Sequence, residues 1–178
     1  TKQVVTLTEK SLVGVALADG KLLWRVACPP AGRMAYNAST PIVDGQTVIY
    51  SAGGAAMKAI SVEKQGDTFT TKELWANPDG IAVQYNAPVL KDGFVYGLSN
   101  RNNLFCINAK TGQTAWRNDA AHGMRGFGQT ADAGPALITM PNTGELIVYK
   151  PSDKGYEELA KIKVAGGETY TCPVLAGK

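Results

Sequence analysis

Residues 85–116 read YNAPVLKDGFVYGLSNRNNLFCINAKTGQTAW, and this stretch decides the fold. It divides into four short apolar runs separated by turn chemistry. Pro88 to Leu90 is followed by Lys91-Asp92-Gly93, and Phe94 to Leu98 by the polar Ser99 to Asn103. Leu104 to Ile107 leads into Ala109-Lys110-Thr111-Gly112, and Thr114 to Arg117 closes the unit. Asp-Gly and Thr-Gly pairs suit tight hairpins, because glycine takes positive φ without a Cβ clash. Pro88 opens the first run, where no ladder hydrogen bond is lost. The unit reads as a four-stranded antiparallel meander, and no stretch of the chain sustains a capped helical period.

The unit recurs. Tyr36-Asn37-Ala38-Ser39-Thr40-Pro41 precedes Tyr85-Asn86-Ala87-Pro88-Val89-Leu90, and Tyr170-Thr171-Cys172-Pro173-Val174-Leu175 comes near the end. Pro41 and Pro88 are 47 residues apart, whereas Pro88 and Pro173 are 85 apart, about two periods. A unit without this proline lies between, with Gly128 to Ala133 as its first strand. Pro135 follows the Asp132-Ala133-Gly134 turn and starts the next strand instead. Trp24, Trp75 and Trp116 form a second column, continued by Ala160, at spacings of 51, 41 and 44. Periods near 45 built from short strands indicate the blades of a β-propeller rather than a helical solenoid. The expected fold is therefore all-β, a β-propeller of four-stranded antiparallel blades with about four present. The expected division is one partial propeller domain over 1–178, with blades at 1–36, 37–85, 86–126 and 127–170 and the start of another at 171–178. The strand count runs three, four, four and four, then one, Cys172 to Leu175. The second blade carries an insertion, Val62 to Thr71, expected as a surface loop.

Bulk composition narrows the function classes. Apolar residues are 44% of the chain and charged residues 19%, enough for a packed core. No run approaches the ~18 apolar residues of a membrane helix. The net charge is only +3, with Lys and Arg scattered singly, so a nucleic-acid partner has no footprint. Cys28, Cys106 and Cys172 are widely spaced and His122 is the single histidine, so no zinc ligand set can be read. The cysteines are expected as packed free thiols and His122, beside Gly123, as a solvated loop residue.

Asn108-Ala109-Lys110-Thr111-Gly112-Gln113-Thr114-Ala115-Trp116 resembles the tryptophan-docking motif of the pyrroloquinoline-quinone repeat family, with Asn108 where the family has aspartate. Ala16 to Trp24 is a shortened copy. The resemblance extends to exported bacterial repeat proteins akin to the outer-membrane assembly lipoprotein propeller. It implies a seven- or eight-bladed ring and a periplasmic or otherwise exported location. It also implies that Trp24, Trp75 and Trp116, with the turn at Gly112, dock one blade against the next.

Enzymes of this fold hold a quinone and a calcium or lanthanide ion on the axis, often beside a vicinal disulfide. This chain has no adjacent cysteines, and Asp19, Asp44 and Asp92 are explained by hairpin turns. No nucleophile set or phosphate loop is readable. We therefore expect no catalytic residue, no metal and no cofactor. The loops leading into the first strands carry an aromatic in each blade, with Arg nearby in two. Arg33, Tyr36, Asn37, Tyr85, Asn86, Arg125 and Tyr170 are the candidate binding residues, since aromatics with Arg compose protein hot spots. They would also suit stacking on a sugar, and the same rings could simply pack the blade entrance. Asn37-Ala38-Ser39 matches a glycosylation sequon by pattern only. The expected function is a non-catalytic binding or scaffold module contacting a protein partner or envelope polymer. The alternatives are a degenerate quinoprotein dehydrogenase and a half-propeller assembly module that completes its ring as a homodimer.

Overall fold

The computed structural model describes residues 1–30, 32 and 35–176. Among them are fifteen strands and no helix, in four antiparallel sheets that follow chain order. The first blade holds β1 (Gln3–Leu7), β2 (Ser11–Ala16) and β3 (Leu22–Ala27). The second holds β4 (Ile42–Asp44), β5 (Thr47–Tyr50), β6 (Lys58–Gln65) and β7 (Thr68–Ala76). The third holds β8 (Val89–Lys91), β9 (Phe94–Leu98), β10 (Asn103–Asn108) and β11 (Thr114–Ala121). The fourth holds β12 (Gly128–Asp132), β13 (Leu137–Pro141), β14 (Glu145–Tyr149) and β15 (Glu158–Lys163). Each strand pairs with its chain neighbour, so the fold is an all-β propeller with four blades.

The core lies between blades rather than within them. In β9 and β10, Val95, Phe105 and Ile107 pack with Ile49, Met57 and Trp75 of the second blade. Tyr96, Leu98, Leu104 and Cys106 point the other way, onto Leu137, Ile147 and Tyr149 of the fourth. Side chains alternate faces along a strand, and here both faces are covered. This is why Leu104 to Ile107 is a continuous apolar run instead of an alternating one. A third cluster, with Leu12, Trp24, Tyr50 and Ile60, joins the first two blades. The last strand of each blade lies further out, and its burial falls accordingly: β7 and β15 are largely exposed.

Three expectations need correcting. Residues 62–71 are not a loop: β6 and β7 extend through them as one long hairpin, paired from Lys58↔Ala76 to Gln65↔Thr68. Val62 and the run Thr68-Phe69-Thr70-Thr71 are strand formers on either side of the Gly66-Asp67 turn, so the insertion pairs as a hairpin. Cys172 to Leu175 forms no strand; it pairs with nothing described and leaves Val174 87% exposed. A first-strand sequence needs a second strand beside it to complete its hydrogen bonds. His122 is not solvated but buried, at 8% exposure, because β11 runs on to Ala121 and carries it under Tyr156. The Asp-Gly and Thr-Gly turns behave as read, with Gly93 and Gly112 at positive φ, and Cys28 and Cys106 are buried free thiols, but Cys172 is exposed rather than packed. Burial pushes the Cys106 thiol up to about 12.

Candidate functional site

The loops that enter β4, β8 and β12 meet on one end of the propeller. Each contributes an aromatic ring, and the rings are in register from blade to blade. Tyr36 lies 6.4 Å from Tyr85, tilted by 46°. Tyr85 stacks on Phe127 at 4.5 Å and 25°. Phe127 meets Tyr170 edge-on at 5.4 Å and 89°. Four rings from four successive loops thus form one continuous ladder. Its ends are the exposed members: Tyr36 is 51% and Tyr170 58% exposed. Offset stacking and edge-to-face contact are the favoured aromatic geometries, each worth about 0.5–1.5 kcal/mol beyond the area buried.

A layer of buried and half-buried polar side chains holds these loops from behind. Asn37 Nδ2 donates to the carbonyls of Thr8, Glu9 and Cys28 at 2.9–3.1 Å, and its Oδ1 accepts from Gly53 N–H at 2.6 Å. One amide thereby ties the first blade to the second. Ser51 Oγ donates to Val83 O and accepts from Val83 N–H, fixing the loop before Tyr85. Asn102, at φ 66°, accepts from Gly126 N–H at 2.7 Å. Asn142 accepts from Met124 N–H at 2.8 Å, and its backbone binds Phe127 O and Thr169 N–H. Asn86 Nδ2 donates to Gly126 O at 2.9 Å.

The candidate residues separate accordingly. Tyr36, Tyr85 and Tyr170 come together in the ladder, joined by Phe127. Arg125 is exposed beside it, in a left-handed conformation at φ 58°. Asn37 and Asn86 are turned into the protein, where their amides hold loops. Arg33 lies outside the described residues. Ser51, Asn102 and Asn142 were missed by sequence reasoning. Their available signal was position: each sits in the polar turn after the second strand of its blade. Near the ladder's end, Tyr170 Oη donates to the Glu168 carboxylate at 2.5 Å, and this bond holds the phenol pKa above its usual value.

The tryptophans sit elsewhere, against the turns of the other end. Trp75 lies across Gly112, where an added Cβ would come within 2.6 Å of the indole. Its Nε1 donates to Ala109 O of the third blade at 3.0 Å. Asn77 closes the same contact by donating to Gly112 O at 2.8 Å. Trp116 Nε1 donates forward to Ser152 O of the fourth blade at 2.7 Å. Trp24 is different: its indole covers Gly14 of its own blade, and Nε1 donates back to Gln3 Oε1 at 2.6 Å. Trp24 still meets the second blade, sharing an apolar cluster with Val48, Ile60 and Val62 and with Phe69 of the long β6–β7 hairpin. On this end the first strands are also bridged, Lys91 Nζ to the Asp132 carboxylate at 2.8 Å. That bond holds the Asp132 carboxyl below its usual range.

Among the described residues, no three His, Cys, Asp or Glu side chains stand close enough to hold a metal ion, and no helix is long and apolar enough to cross a membrane.

A family model described as outer membrane protein assembly factor BamB matches residues 1–118. The chain belongs to this family. A comparison with curated protein sequences finds no match. Among solved structures, the chain is similar to BamB from Moraxella catarrhalis, with a TM-score of 0.51 and 12% identity, over 94% of this chain and 62% of that one. It is also similar to the computationally designed Ika8 protein, at a TM-score of 0.60 and 12% identity, over 99% of this chain and 54% of Ika8. Apo AztD from Citrobacter koseri aligns at a TM-score of 0.53 and 15% identity, over 96% of this chain and 46% of that one. At these identities the likeness is one of fold. The chain spans 62% or less of each of these three structures.

Proposed function

We propose that this chain is a non-catalytic propeller module of an exported bacterial protein, and that it binds a protein partner through the aromatic end. The observation that carries this reading is the ladder of Tyr36, Tyr85, Phe127 and Tyr170. Exposed aromatic area costs little conformational entropy to order, and aromatics dominate the energetics of protein interfaces. The polar layer beneath supports the reading, since it holds the rings in place before any partner arrives. Membership of an outer membrane assembly family supports a protein partner and an exported location.

The test is site-specific photo-crosslinking in bacterial cells producing the protein. A crosslinker at Tyr36 or Tyr170 should trap one discrete protein adduct, and a crosslinker at Lys110, on the opposite end, should not. Equal trapping at all three positions, or none at the ladder, overturns the reading. A quinoprotein role is checked separately by adding quinone and calcium to the purified chain; substrate-dependent dye reduction would replace the non-catalytic assignment. A second reading, a module that assembles through its blade faces, is favoured by Leu159, Ile162 and Val164, which are about half exposed on and beside β15. A strict monomer in sedimentation equilibrium excludes a homodimer built on that face.

A further inference from the structure

His122 is shut into the seam between the third and fourth blades, and its Nε2 is buried without a hydrogen-bond partner among the described residues. Its ring lies 6.1 Å from Tyr156, which itself lies 5.9 Å from Trp116 and 5.7 Å from Tyr149. A neutral imidazole suits this place, since it needs only one N–H satisfied. An imidazolium donates from both nitrogens, and its Nε2–H would be enclosed here without an acceptor. The carboxylates that attract a cation to the site are already engaged. From β14, Glu145 pairs with Lys161 at 3.4 Å; from β15, Glu158 accepts from Tyr156 Oη at 2.8 Å. Burial, then repulsion from Lys161, holds the imidazole below the usual histidine range against the pull of Glu158 and Glu145. His122 also begins the segment that builds the aromatic end. Gly123 is wedged against the fourth blade, where an added Cβ would come within 2.8 Å of Pro141 Cβ. Asn142, fully buried, then accepts from Met124 N–H on its Oδ1, donates its own N–H to Phe127 O and accepts from Thr169 N–H. Phe127 and Tyr170, which meet at 5.4 Å, are thereby held by one asparagine.

We propose that His122 is an acid-released latch: protonation drives its ring out of the seam, the turn at 123–127 comes off Asn142, and Phe127 parts from Tyr170. Its bearing on binding rests on the partner-binding reading above, because the half of the ladder it releases belongs to that surface. Histidine is the side chain whose charge changes on mild acidification. In the closed form the ring stays neutral; in the open form it titrates at its ordinary value. As the pH falls below that value the open form takes the proton first and gains population, by at most about tenfold per pH unit. One proton drives a local opening of one seam, and the other blades stay folded.

The test is amide hydrogen exchange of the ¹⁵N-labelled full chain, read by NMR between about pH 7 and about pH 5 and corrected for intrinsic exchange. Protection of the Met124 and Thr169 amides, both bonded to Asn142, should fall several-fold on acidification, by no more than about tenfold per pH unit. The Val83 amide, held by Ser51 in the second blade, should keep its protection. His122→Phe, which keeps a ring and cannot titrate, should make the protection of Met124 and Thr169 independent of pH. Two surface variants report on the charge itself. Lys161→Gln removes the repulsion that opposes protonation in the closed form and should shrink the acid-induced loss; Glu158→Gln removes an attraction and should enlarge it. Unchanged protection at Met124 and Thr169, an equal loss at Val83, a loss that persists in His122→Phe, or Lys161→Gln and Glu158→Gln moving it in the same direction would overturn the proposal. The measurement needs no partner, so a failed latch leaves the partner-binding reading standing, and a missing crosslinked adduct leaves the latch standing.

Discussion

Gly112→Ala isolates the contact between blades in a single methyl group. Gly112 adopts φ 74°, and a Cβ there would lie 2.6 Å from Trp75 Cδ2 and Cε3. Two costs follow. An alanine in the left-handed region costs about 1–2 kcal/mol. The indole must also move, which weakens its bond to Ala109 O and loosens a buried ring, adding about 1–2 kcal/mol. Gly20 provides the control. It ends the corresponding turn of the first blade at φ 71°, but nothing lies within 4 Å of its would-be Cβ. Gly20→Ala therefore carries the backbone cost alone. Urea unfolding followed by tryptophan fluorescence should show Gly112→Ala destabilised by about 2–4 kcal/mol and Gly20→Ala by about half of that. Equal losses in the two variants would refute the claim that Trp75 is seated on Gly112. So would an unchanged Gly112→Ala loss in a Trp75→Leu background, since coupling between touching residues must appear in the cycle.

Asn37→Ala leaves three carbonyls and one N–H without their partner and should cost about 2–4 kcal/mol in urea unfolding, with Asn37→Asp no better because a carboxylate cannot donate. The Lys91–Asp132 pair is about half exposed on the acid side, so Asp132→Asn should cost only about 0.2–1 kcal/mol at neutral pH. Because the folded carboxyl titrates below its usual value, that difference should persist above pH ~4 and vanish as the pH falls further, which unfolding curves at several pH values will show. Burial, followed by repulsion from Lys161 against attraction from Glu158 and Glu145, lowers the His122 pKa. The unfolded chain then takes the proton first, so stability should fall as the pH drops below about 6.5, at no more than about 1.4 kcal/mol per unit, and His122→Gln should flatten that slope.

How much was legible in the sequence follows from what each feature depends on. The blades were legible because Asp92-Gly93 and Thr111-Gly112 are local signals: the turn chemistry lies in the residues that turn. The ladder rings were legible as a column, since a repeat places equivalent residues in equivalent positions. Their stacking was not, because it depends on the angle between blades, which no single blade encodes. Asn37 was read as a ligand-facing residue because it neighbours Tyr36, yet adjacent residues in an extended loop point opposite ways, and its amide goes inward. His122 was misread because a histidine beside glycine resembles a loop, whereas its burial comes from Tyr156, thirty-odd residues later. The long hairpin was misread because the length of an insertion says nothing about whether its ends pair.

The indole contacts also give the propeller a direction. Trp75 and Trp116 reach forward to the carbonyls of Ala109 and Ser152, Trp24 turns back to Gln3, and Ala160 has no ring to offer. Of the three seams between these four blades, the second-to-third and the third-to-fourth are therefore bridged by an indole hydrogen bond, whereas at the first Trp24 packs apolar area without one. In a repeat architecture, stability is a sum over neighbouring seams, and here those seams are graded. Stretched from its two ends, these four blades would part first at the first seam, releasing the first blade while the other three still held. The tryptophan column then sets an order of mechanical failure, with the ladder's central stack, Tyr85 on Phe127, among the last parts to come apart.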